Sequence, residues 1–445
     1  MIKNHGVVGR ILAELKNPEL VKSIDTWSIH AHVVFITDSY INSTTIAKEI
    51  QTSDYVARVE CVRIYVNIWL TPLVLKFLKM STFLEKKKVW VEHTSMTPCY
   101  PINLATARSL VIGERIRRCA SLVGANASGR FWIEESAHQL DAVELPDFDC
   151  GYQLLGKADH VIGYRFVSHI KDQVVANAIF PAGAAANDTS FPCKRKVNRN
   201  DLNVIATAFE QTVRNAGVRN LSFDFESDVI DSIKRAHPSL DIFSIIDNDL
   251  LNANIAGGRQ YIYRSILYYL YMLQNADMAI SVVPLNQLQV LEYARKKALE
   301  INGNSRARLT LIYYGNLTVN SRKDAPKLGV FHSLDTLLAT DRDLFSKFEA
   351  KILLSRPQKR LDFNISLSSE SRKPSSNIVV EDVLDNTLRM AMMIESLPVL
   401  IDKFLSSGNF STILKWKDEM KQRLKFGSID NNISHDGQIL ITLMG

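Results

Sequence analysis

The chain has 445 residues, which is enough for two or three domains at roughly 100–200 residues each. Hydrophobic residues make up 46% of the sequence and charged residues 22%, so each domain can bury an ordinary core. The net charge of +6 permits contact with nucleic acid but does not require it.

The first part of the chain mixes helical and strand patterns. Apolar residues at helical spacing predict a helix over 6–24, and two shorter segments predict a strand at Ile29–Thr37 and a helix at Thr45–Gln51. Arg58–Leu70 alternates apolar and polar residues, which predicts one half-buried strand. Leu104–Val123 is predicted to form a long helix.

The middle of the chain begins with an irregular stretch and then regains periodicity. Leu202–Ala216 has helical spacing, and Asp201 is a suitable N-cap. Leu221–Phe225 predicts a strand, and helices are predicted near 228–236 and 240–251.

A helix–strand–helix–strand unit is predicted at the centre of the fold. Residues 259–274 are apolar on nearly every side, which is typical of a helix inside a core. Met278–Val283 and Arg308–Tyr314 predict two strands, with a second helix between them. This order predicts a mixed α/β or α+β fold that is rich in helix.

Two prolines define expected helix boundaries. Pro284 suits the first turn of the second central helix, in which Leu285 and Leu288 are expected to face inward. Pro398 is expected to interrupt the helical pattern that runs through Val380–Leu397.

The C-terminal region is predicted to be a separable helical arm. Ser366–Asn377 is rich in serine and is the best linker in the sequence. Gln438–Met444 is an apolar strand that must pair within this chain or with a neighbouring subunit. The predicted division is an N-terminal α+β domain 1–150, a central α/β domain 151–365, a linker 366–377 and a C-terminal helical arm 378–445 that ends in the strand.

Neither secretion nor membrane insertion is expected. The five cysteines contain no CxxC pair, which favours buried thiols in a reducing compartment. The residues after Met1 do not have the pattern of a signal peptide, so none is expected. The apolar run between Arg63 and Lys76 has only 12 residues, whereas about 20 are needed to span a bilayer. We therefore expect a cytoplasmic or virion protein that is not secreted and has no membrane span.

Two arginines lie on the apolar stripe of the helix predicted at 104–123. Arg108 and Arg115 are seven residues apart and project to the same side. Because an unpaired charge is costly to remove from water, each arginine needs an anion. A phosphate or nucleic-acid contact would supply one. An internal pair would also do so, and the candidate partners are Glu134, Glu135 and Glu144.

Further basic residues are candidates for contact with nucleic acid. Lys194, Arg195 and Lys196 form a cluster, with Arg199 nearby, that could meet a polyanion. The alternative is a solvated loop. His30 and His32 would share a strand face, but two ligands are too few for zinc, so we expect no metal site.

Two glutamates, Glu292 and Glu300, lie eight residues apart after the apolar segment Ala276–Pro284. Together with Ala158–Ile162 and Ile179–Gly183, this pattern resembles retaining GT-B glycosyltransferases, in which a strand precedes a helix with two such glutamates that address the nucleotide-sugar donor. The sequence departs from the family at Ala294, where glycine is preferred, and it lacks the glycine-rich N-terminal loop.

No sequence motif identifies a reactive site. GxSxG, P-loop, HExxH and GxGxxG patterns are all absent. We therefore expect a non-catalytic structural protein of a large intracellular or viral (virion or capsid) assembly, without a cofactor. Its partners would be copies of itself or other subunits, and nucleic acid is a further candidate. The alternatives are a GT-B-like glycosyltransferase and an RNA-coating nucleoprotein.

Overall fold

The computed structural model of the protein describes residues 7–26, 31–77, 82–96, 102–135, 144–146, 194–196, 199–246, 258–303, 307–320, 322–323, 334, 337–338, 342–363 and 383–425. The predicted linker 366–377, the predicted C-terminal strand 438–444 and the predicted domain boundary at 150 lie outside these residues.

The N-terminal part contains a four-stranded antiparallel sheet in the order β1-β2-β4-β3. Two helices accompany it, and Ile46 and Ile50 of the second helix are completely buried. The helices and strands of this part are α1 (Val7–Glu14), β1 (Ser23–Asp25), β2 (Val33–Ile36), α2 (Tyr40–Ile50), β3 (Val56–Val62) and β4 (Tyr65–Leu70).

The segment predicted as one strand at Arg58–Leu70 is a hairpin of two strands, so that prediction was wrong. β3 and β4 pair antiparallel and turn at Arg63, which has a φ of 56°. The Ser43 hydroxyl donates a hydrogen bond of 2.7 Å to the Arg63 carbonyl and holds the turn against α2. Alternation of apolar residues continues through a two-residue turn, so it does not reveal the reversal of direction.

The central part is built on a five-stranded, entirely parallel sheet in the order β11-β10-β5-β6-β9. A separate pair of short strands, β7 and β8, is antiparallel. The helices and strands of this part are β5 (Lys88–Met96), α3 (Leu104–Leu122), β6 (Asn126–Ile133), β7 (Glu144–Pro146), β8 (Lys194–Lys196), α4 (Arg199–Asn215), β9 (Leu221–Phe225), α5 (Glu226–Ala236), α6 (Ile242–Ile245), α7 (Gly258–Asn275), β10 (Met278–Pro284), α8 (Leu288–Asn302) and β11 (Arg308–Tyr314).

Helices cover both faces of the parallel sheet, as burial of such a sheet requires. On one face, Val89 and Val91 join a core cluster with α3. On the other face, Trp90 and Ala279 join a second cluster with α7 and α8. Because side chains alternate along a strand, Glu92 falls on the same face as Trp90, beneath α7.

The helix–strand–helix–strand unit predicted at the centre is confirmed as α7, β10, α8 and β11. The prediction for the start of α8 was wrong in detail. Pro284 is the last residue of β10, and one 3₁₀ turn separates it from the helix. Leu285 and Leu288 are 38% and 39% exposed, because the inward face of α8 is formed by residues such as Val290 and Ala294. The predicted N-cap Asp201 also lies inside a helix, since α4 begins earlier.

The C-terminal helices pack against the rest of the chain. They share the core cluster of α3, and Gly408 at the end of α10 approaches Ile312 so closely that a Cβ atom would lie 2.3 Å from its Cγ2. Pro398 does not interrupt the predicted helix but lies within it. The helices and strands of this part are β12 (Leu317–Val319), β13 (Arg322–Lys323), α9 (Arg342–Leu354), β14 (Leu361–Phe363), α10 (Val383–Ser407) and α11 (Ser411–Lys425). The predicted mixed α/β class is confirmed.

Candidate functional site

The strand order of the parallel sheet indicates where a ligand would bind. The chain runs outward from β5 through β6 to β9 on one side, and then continues with β10 and β11 on the other side. The order therefore reverses between β5 and β10. In open α/β sheets, ligands bind in the crevice outside the carboxyl ends of the strands at such a switch point.

A buried carboxylate lies between these two strands. Glu92 of β5 and Ser281 of β10 are register partners, and they are 3% and 0% exposed. The Ser281 hydroxyl donates a hydrogen bond to Oε2 of Glu92. A charge removed from water is costly unless it is paired and hydrogen-bonded, so a carboxylate at this position suggests a specific role.

Tyrosines of α7 cover Glu92. Burial raises the pKa of Tyr268 and Tyr269 well above the usual value, and the negative charge of Glu92 adds to the effect. Burial raises the pKa of Tyr261 as well, and Glu134 and Glu92 contribute. These phenols therefore remain protonated at neutral pH and can act as hydrogen-bond donors.

Two further groups lie near the carboxyl ends of β10 and β11. The Tyr261 hydroxyl donates a 2.6 Å hydrogen bond to Oε1 of Gln287, which ties α7 to the turn after β10. Tyr314 is the last residue of β11, and burial followed by the hydrogen bond with Ser109 and the charge of Glu92 leaves its pKa at about 12. The switch point therefore has one carboxylate, one amide and several hydroxyls around it.

A buried charge network lies beside Glu92, on β6 and β9. Arg130 donates from Nε to Asp224 at 2.8 Å, and the Tyr268 hydroxyl donates to the same carboxylate at 3.0 Å. The guanidinium of Arg130 lies 4.0 Å from the ring centroid of Trp90. Burial raises the pKa of Asp224 despite the hydrogen bonds and charge of Arg130. This network fixes the floor next to Glu92.

A second network joins the carboxyl ends of β6 and β9. Glu226 pairs with Arg264 of α7 at 2.9 Å and accepts the backbone N–H of Glu135 at 2.8 Å. The Glu135 carboxylate in turn accepts the backbone N–H of Ser227 at 2.6 Å. This reciprocal arrangement positions the start of α5, where a carboxylate also complements the helix dipole.

Arg199 belongs to this second network. It donates to Glu135 at 2.9 Å and to Asp228 at 2.6 Å, and its guanidinium lies 3.5 Å from the ring centroid of Phe225. Its side chain is 36% exposed. Contact of Arg199 with nucleic acid stays a prediction.

Arg108 has no exposed atom for a phosphate, because it is completely buried. It donates to four backbone carbonyls. Nη1 bonds Gly315 at 2.7 Å and Asn316 at 3.2 Å, and Nη2 bonds Pro357 at 2.7 Å and Lys359 at 2.8 Å. Burial lowers its pKa to about 10, so it is charged at neutral pH. Carbonyl dipoles thus replace the anion that the sequence analysis expected.

The other predicted basic residues lie in different places. Arg115 is buried and pairs with Glu349 of α9 at 2.7 Å, whereas the internal partners considered from the sequence were Glu134, Glu135 and Glu144. Lys194, Arg195 and Lys196 form β8, in register with Pro146, Leu145 and Glu144 of β7. Their contact with nucleic acid stays a prediction.

The glutamates of the glycosyltransferase resemblance line an open hollow on α8. Glu292 accepts from Arg295 at 2.7 Å and from the Tyr313 hydroxyl at 2.9 Å, and Glu300 pairs with Lys297 at 3.3 Å. None of these described contacts involves Glu92. The structure therefore does not bring them into the carboxylate site at the switch point.

Among the described residues, no group of three or more histidines, cysteines and carboxylates is placed to hold a metal ion. His30 lies outside the described residues, and Nδ1 of His32 accepts the backbone N–H of Leu70 at 2.8 Å. In the described part of the chain, no helix is both long and apolar enough to cross a membrane.

Sequence reasoning did not identify Glu92, Ser281 or the tyrosines above them. A signal was present, because Ser281 is the single polar residue of an otherwise apolar strand and Glu92 directly follows the apolar run Val89–Val91. Buried polar residues are more informative than exposed apolar ones. However, the order of the strands was needed to bring the two residues together.

Comparisons with known proteins give a consistent result, although no protein-family model matches the chain. The chain is 24% identical over 366 residues to the arginine–tRNA ligase of Thermoplasma acidophilum, which covers 76% of this chain and 64% of that protein. It is 23% identical over 338 residues to the ligase of Methanocella arvoryzae, covering 66% of this chain and 58% of that protein. It is 22% identical over 281 residues to the ligase of Methanococcus maripaludis, covering 57% and 49%. The chain thus spans between 49% and 64% of the length of these curated relatives.

Solved structures agree on the fold. The arginyl-tRNA synthetase of Thermus thermophilus matches with a TM-score of 0.62 at 14% identity, covering 95% of this chain and 91% of that one. The synthetase of Plasmodium falciparum matches with a TM-score of 0.58 at 12% identity and the same coverage.

These relatives are enzymes, so the expectation of a non-catalytic structural, assembly or virion protein was wrong. The same finding contradicts the glycosyltransferase and nucleoprotein alternatives. The chain has the mixed α/β fold of arginyl-tRNA synthetases and is similar in sequence to arginine–tRNA ligases.

Proposed function

We propose that the crevice between β5 and β10 recognises arginine, and that the chain acts in the attachment of arginine to tRNA. The observation that carries this proposal is the buried carboxylate of Glu92 at the switch point, covered by protonated tyrosines. The names of the curated relatives supply the substrate class, since each is an arginine–tRNA ligase.

The chemistry of the crevice suits a guanidinium group. A guanidinium carries five N–H donors and a permanent charge, and it pairs in a bidentate way with a carboxylate. Glu92 provides the carboxylate, and Gln287 provides an amide oxygen at the edge. The tyrosine rings of α7 add faces on which a cation is favourable. A neutral or acidic amino acid would leave Glu92 without this complement.

Contact with tRNA is the second part of the proposal. The basic strand of Lys194, Arg195 and Lys196 is a candidate, because lysines and arginines that neutralise phosphates release counterions. The logarithm of tRNA affinity falls as the logarithm of salt concentration rises. Neutralising all three residues is expected to make this slope shallower by about 3, at roughly one unit per phosphate contact. An unchanged slope would remove this strand from the tRNA interface.

The experiment for the whole proposal measures attachment of labelled arginine to tRNA in the presence of ATP. We expect the full chain to attach arginine, and we expect Glu92→Gln to lower the rate at limiting arginine by at least about 30-fold, because truncating a buried charge pair costs about 2–5 kcal/mol. Glu300→Gln is the matched control, since Glu300 lies on α8 and pairs with Lys297. Equal rates for both variants would contradict the role of Glu92, and a chain that attaches no arginine would refute the ligase activity.

A further inference from the structure

Strand β5 has an irregularity immediately after Glu92. On the β6 side of this strand, Glu92 pairs with Arg130. The next pair joins Thr94 to Phe131, so His93 is an extra residue in β5. An extra residue in one strand of a pair is a β-bulge, which bends its strand and is rare between parallel strands. Bulges are common next to active sites, where they redirect a side chain or end the pairing of two strands.

The bulge coincides with the point at which β5 and β10 part. The last register pair between these two strands is Glu92 with Ser281. Beyond this pair, β10 continues to Pro284 beside β11, and β5 continues to Met96 beside β6. In an open α/β sheet, a ligand binds outside the strand ends at such a switch point. The bulge at His93 therefore lies where the expected ligand site begins.

The side chain of His93 lies between two glycines. It is completely buried on the α3 side of β5. A Cβ atom at Gly113 of α3 would lie 2.1 Å from Cβ of His93. A Cβ atom at Gly129 of β6 would lie 2.7 Å from Nε2 of the same ring. Non-bonded atoms do not approach so closely, so the imidazole fills the space that side chains at both positions would need.

We propose that His93 is a positioning residue for the arginine site. By filling the space over Gly113 and Gly129, it holds the bulge in place, and the bulge bends β5 directly after Glu92. Because His93 and Glu92 lie on opposite faces of β5, His93 acts through the backbone and does not touch the ligand. This inference rests on the proposed function only for the identity of the ligand.

The first test determines the strand register and needs no ligand. Crystal structures of the full chain and of His93→Ala are compared. In His93→Ala no ring holds the extra residue out of the ladder, so we expect residue 93 to pair with Phe131 and Thr94 to pair with Trp132. If Thr94 still pairs with Phe131 in this variant, the bulge does not depend on the ring and the proposal is overturned.

Gly113→Ala gives a second route if His93→Ala does not fold. This variant keeps the histidine but places a methyl group 2.1 Å from its Cβ, so β5 must move away from α3 at the bulge. Alanine is otherwise the better residue in a helix, so weaker ligand binding in this variant reports the displacement of β5. A crystal structure in which β5 has not moved at His93 would contradict the close packing that the proposal requires.

The next test measures binding of L-arginine by calorimetry. His93→Ala and Gly113→Ala are expected to bind arginine at least about tenfold more weakly, as for one lost hydrogen bond between charged groups. His93→Phe keeps a ring between the glycines and should bind within about twofold of the unmodified chain. Val89→Ala is the matched control, because Val89 is completely buried on the same face of β5 but lies in the regular part of the ladder. This control should lose stability and keep its arginine affinity.

The outcomes separate the two proposals. A register that changes in His93→Ala supports the role of the bulge even if the unmodified chain binds no arginine, in which case only the proposed ligand is wrong. If the unmodified chain binds arginine and His93→Ala binds it equally well, the positioning role is overturned. The same conclusion follows if Val89→Ala loses as much arginine affinity as His93→Ala, because the effect is then one of general destabilisation.

Discussion

The stability of this protein should fall in mild acid because of His93, which lies on the α3 side of β5. Its side chain is completely buried, and a Cβ atom at Gly113 or Gly129 would lie only 2.1 or 2.7 Å from it. Burial lowers the pKa of His93 to about 4, with Glu114 raising it and Arg117 lowering it. The imidazole is therefore neutral in the folded state at pH values at which the unfolded chain binds a proton.

The magnitude follows from linkage. Between the unfolded pKa of about 6.5 and the folded pKa of about 4, the unfolded state of the His93 site holds more protons, so stability rises with pH. The contribution is fully present above pH 6.5 and is lost as pH falls toward 4. At about 1.4 kcal/mol per pKa unit the whole effect is about 3 kcal/mol, of which about 2 kcal/mol is lost by pH 5.

The assay is urea unfolding at pH 7.5 and pH 5, for the unmodified chain and for His93→Phe. The variant keeps an aromatic ring between the two glycines but cannot bind a proton. Between pH 7.5 and pH 5, the unmodified chain should lose about 2 kcal/mol more unfolding free energy than His93→Phe loses. If that difference is the same at both pH values, the burial argument for His93 is refuted.

Two further predictions concern how the C-terminal half is held on the sheet. Arg108→Met leaves four carbonyls without their donor and should lower the free energy of unfolding, measured with urea, by about 3–5 kcal/mol. Arg108→Lys should recover part of this loss. A loss below about 1 kcal/mol in Arg108→Met would show that the four hydrogen bonds are unimportant. Gly408→Ala should cost about 1–3 kcal/mol more than Gly303→Ala, because both glycines have a φ of 67° but only Gly408 would also collide with Ile312. Thermal unfolding of the two variants measures the difference, and equal losses would contradict the close approach.

Secondary structure was predictable wherever a single period ran through a segment. Leu221–Phe225 and Arg308–Tyr314 are strands with the predicted bounds, because a short apolar β-branched and aromatic run bounded by breakers has few alternatives. The hairpin within Arg58–Leu70 was missed, because alternation is the same in one strand and in two. The outward position of Leu285 and Leu288 depends on where α8 begins, and sequence fixes element boundaries poorly.

The candidate site was less predictable, because it depends on strand order. Glu92 and Ser281 are 189 residues apart in the chain, and only the crossover from β9 to β10 makes them neighbours. Arg108 shows the converse limit. Its position on the apolar stripe showed that its charge needs hydrogen-bond partners. Those partners are four carbonyls from two distant turns, and they leave no pattern in the sequence. The candidate site also contains no known reactive motif, so motifs could not reveal it. The expectation of a structural protein rested on that absence.

The most direct measurement of the central claim is calorimetric titration of the chain with L-arginine and with L-citrulline, which has nearly the same shape but no charge. If the Glu92 carboxylate selects a guanidinium, the chain binds arginine, binds citrulline at least about 30-fold more weakly, and loses this preference in Glu92→Gln. Binding of the two ligands with equal affinity, or an arginine preference that survives in Glu92→Gln, would contradict the account.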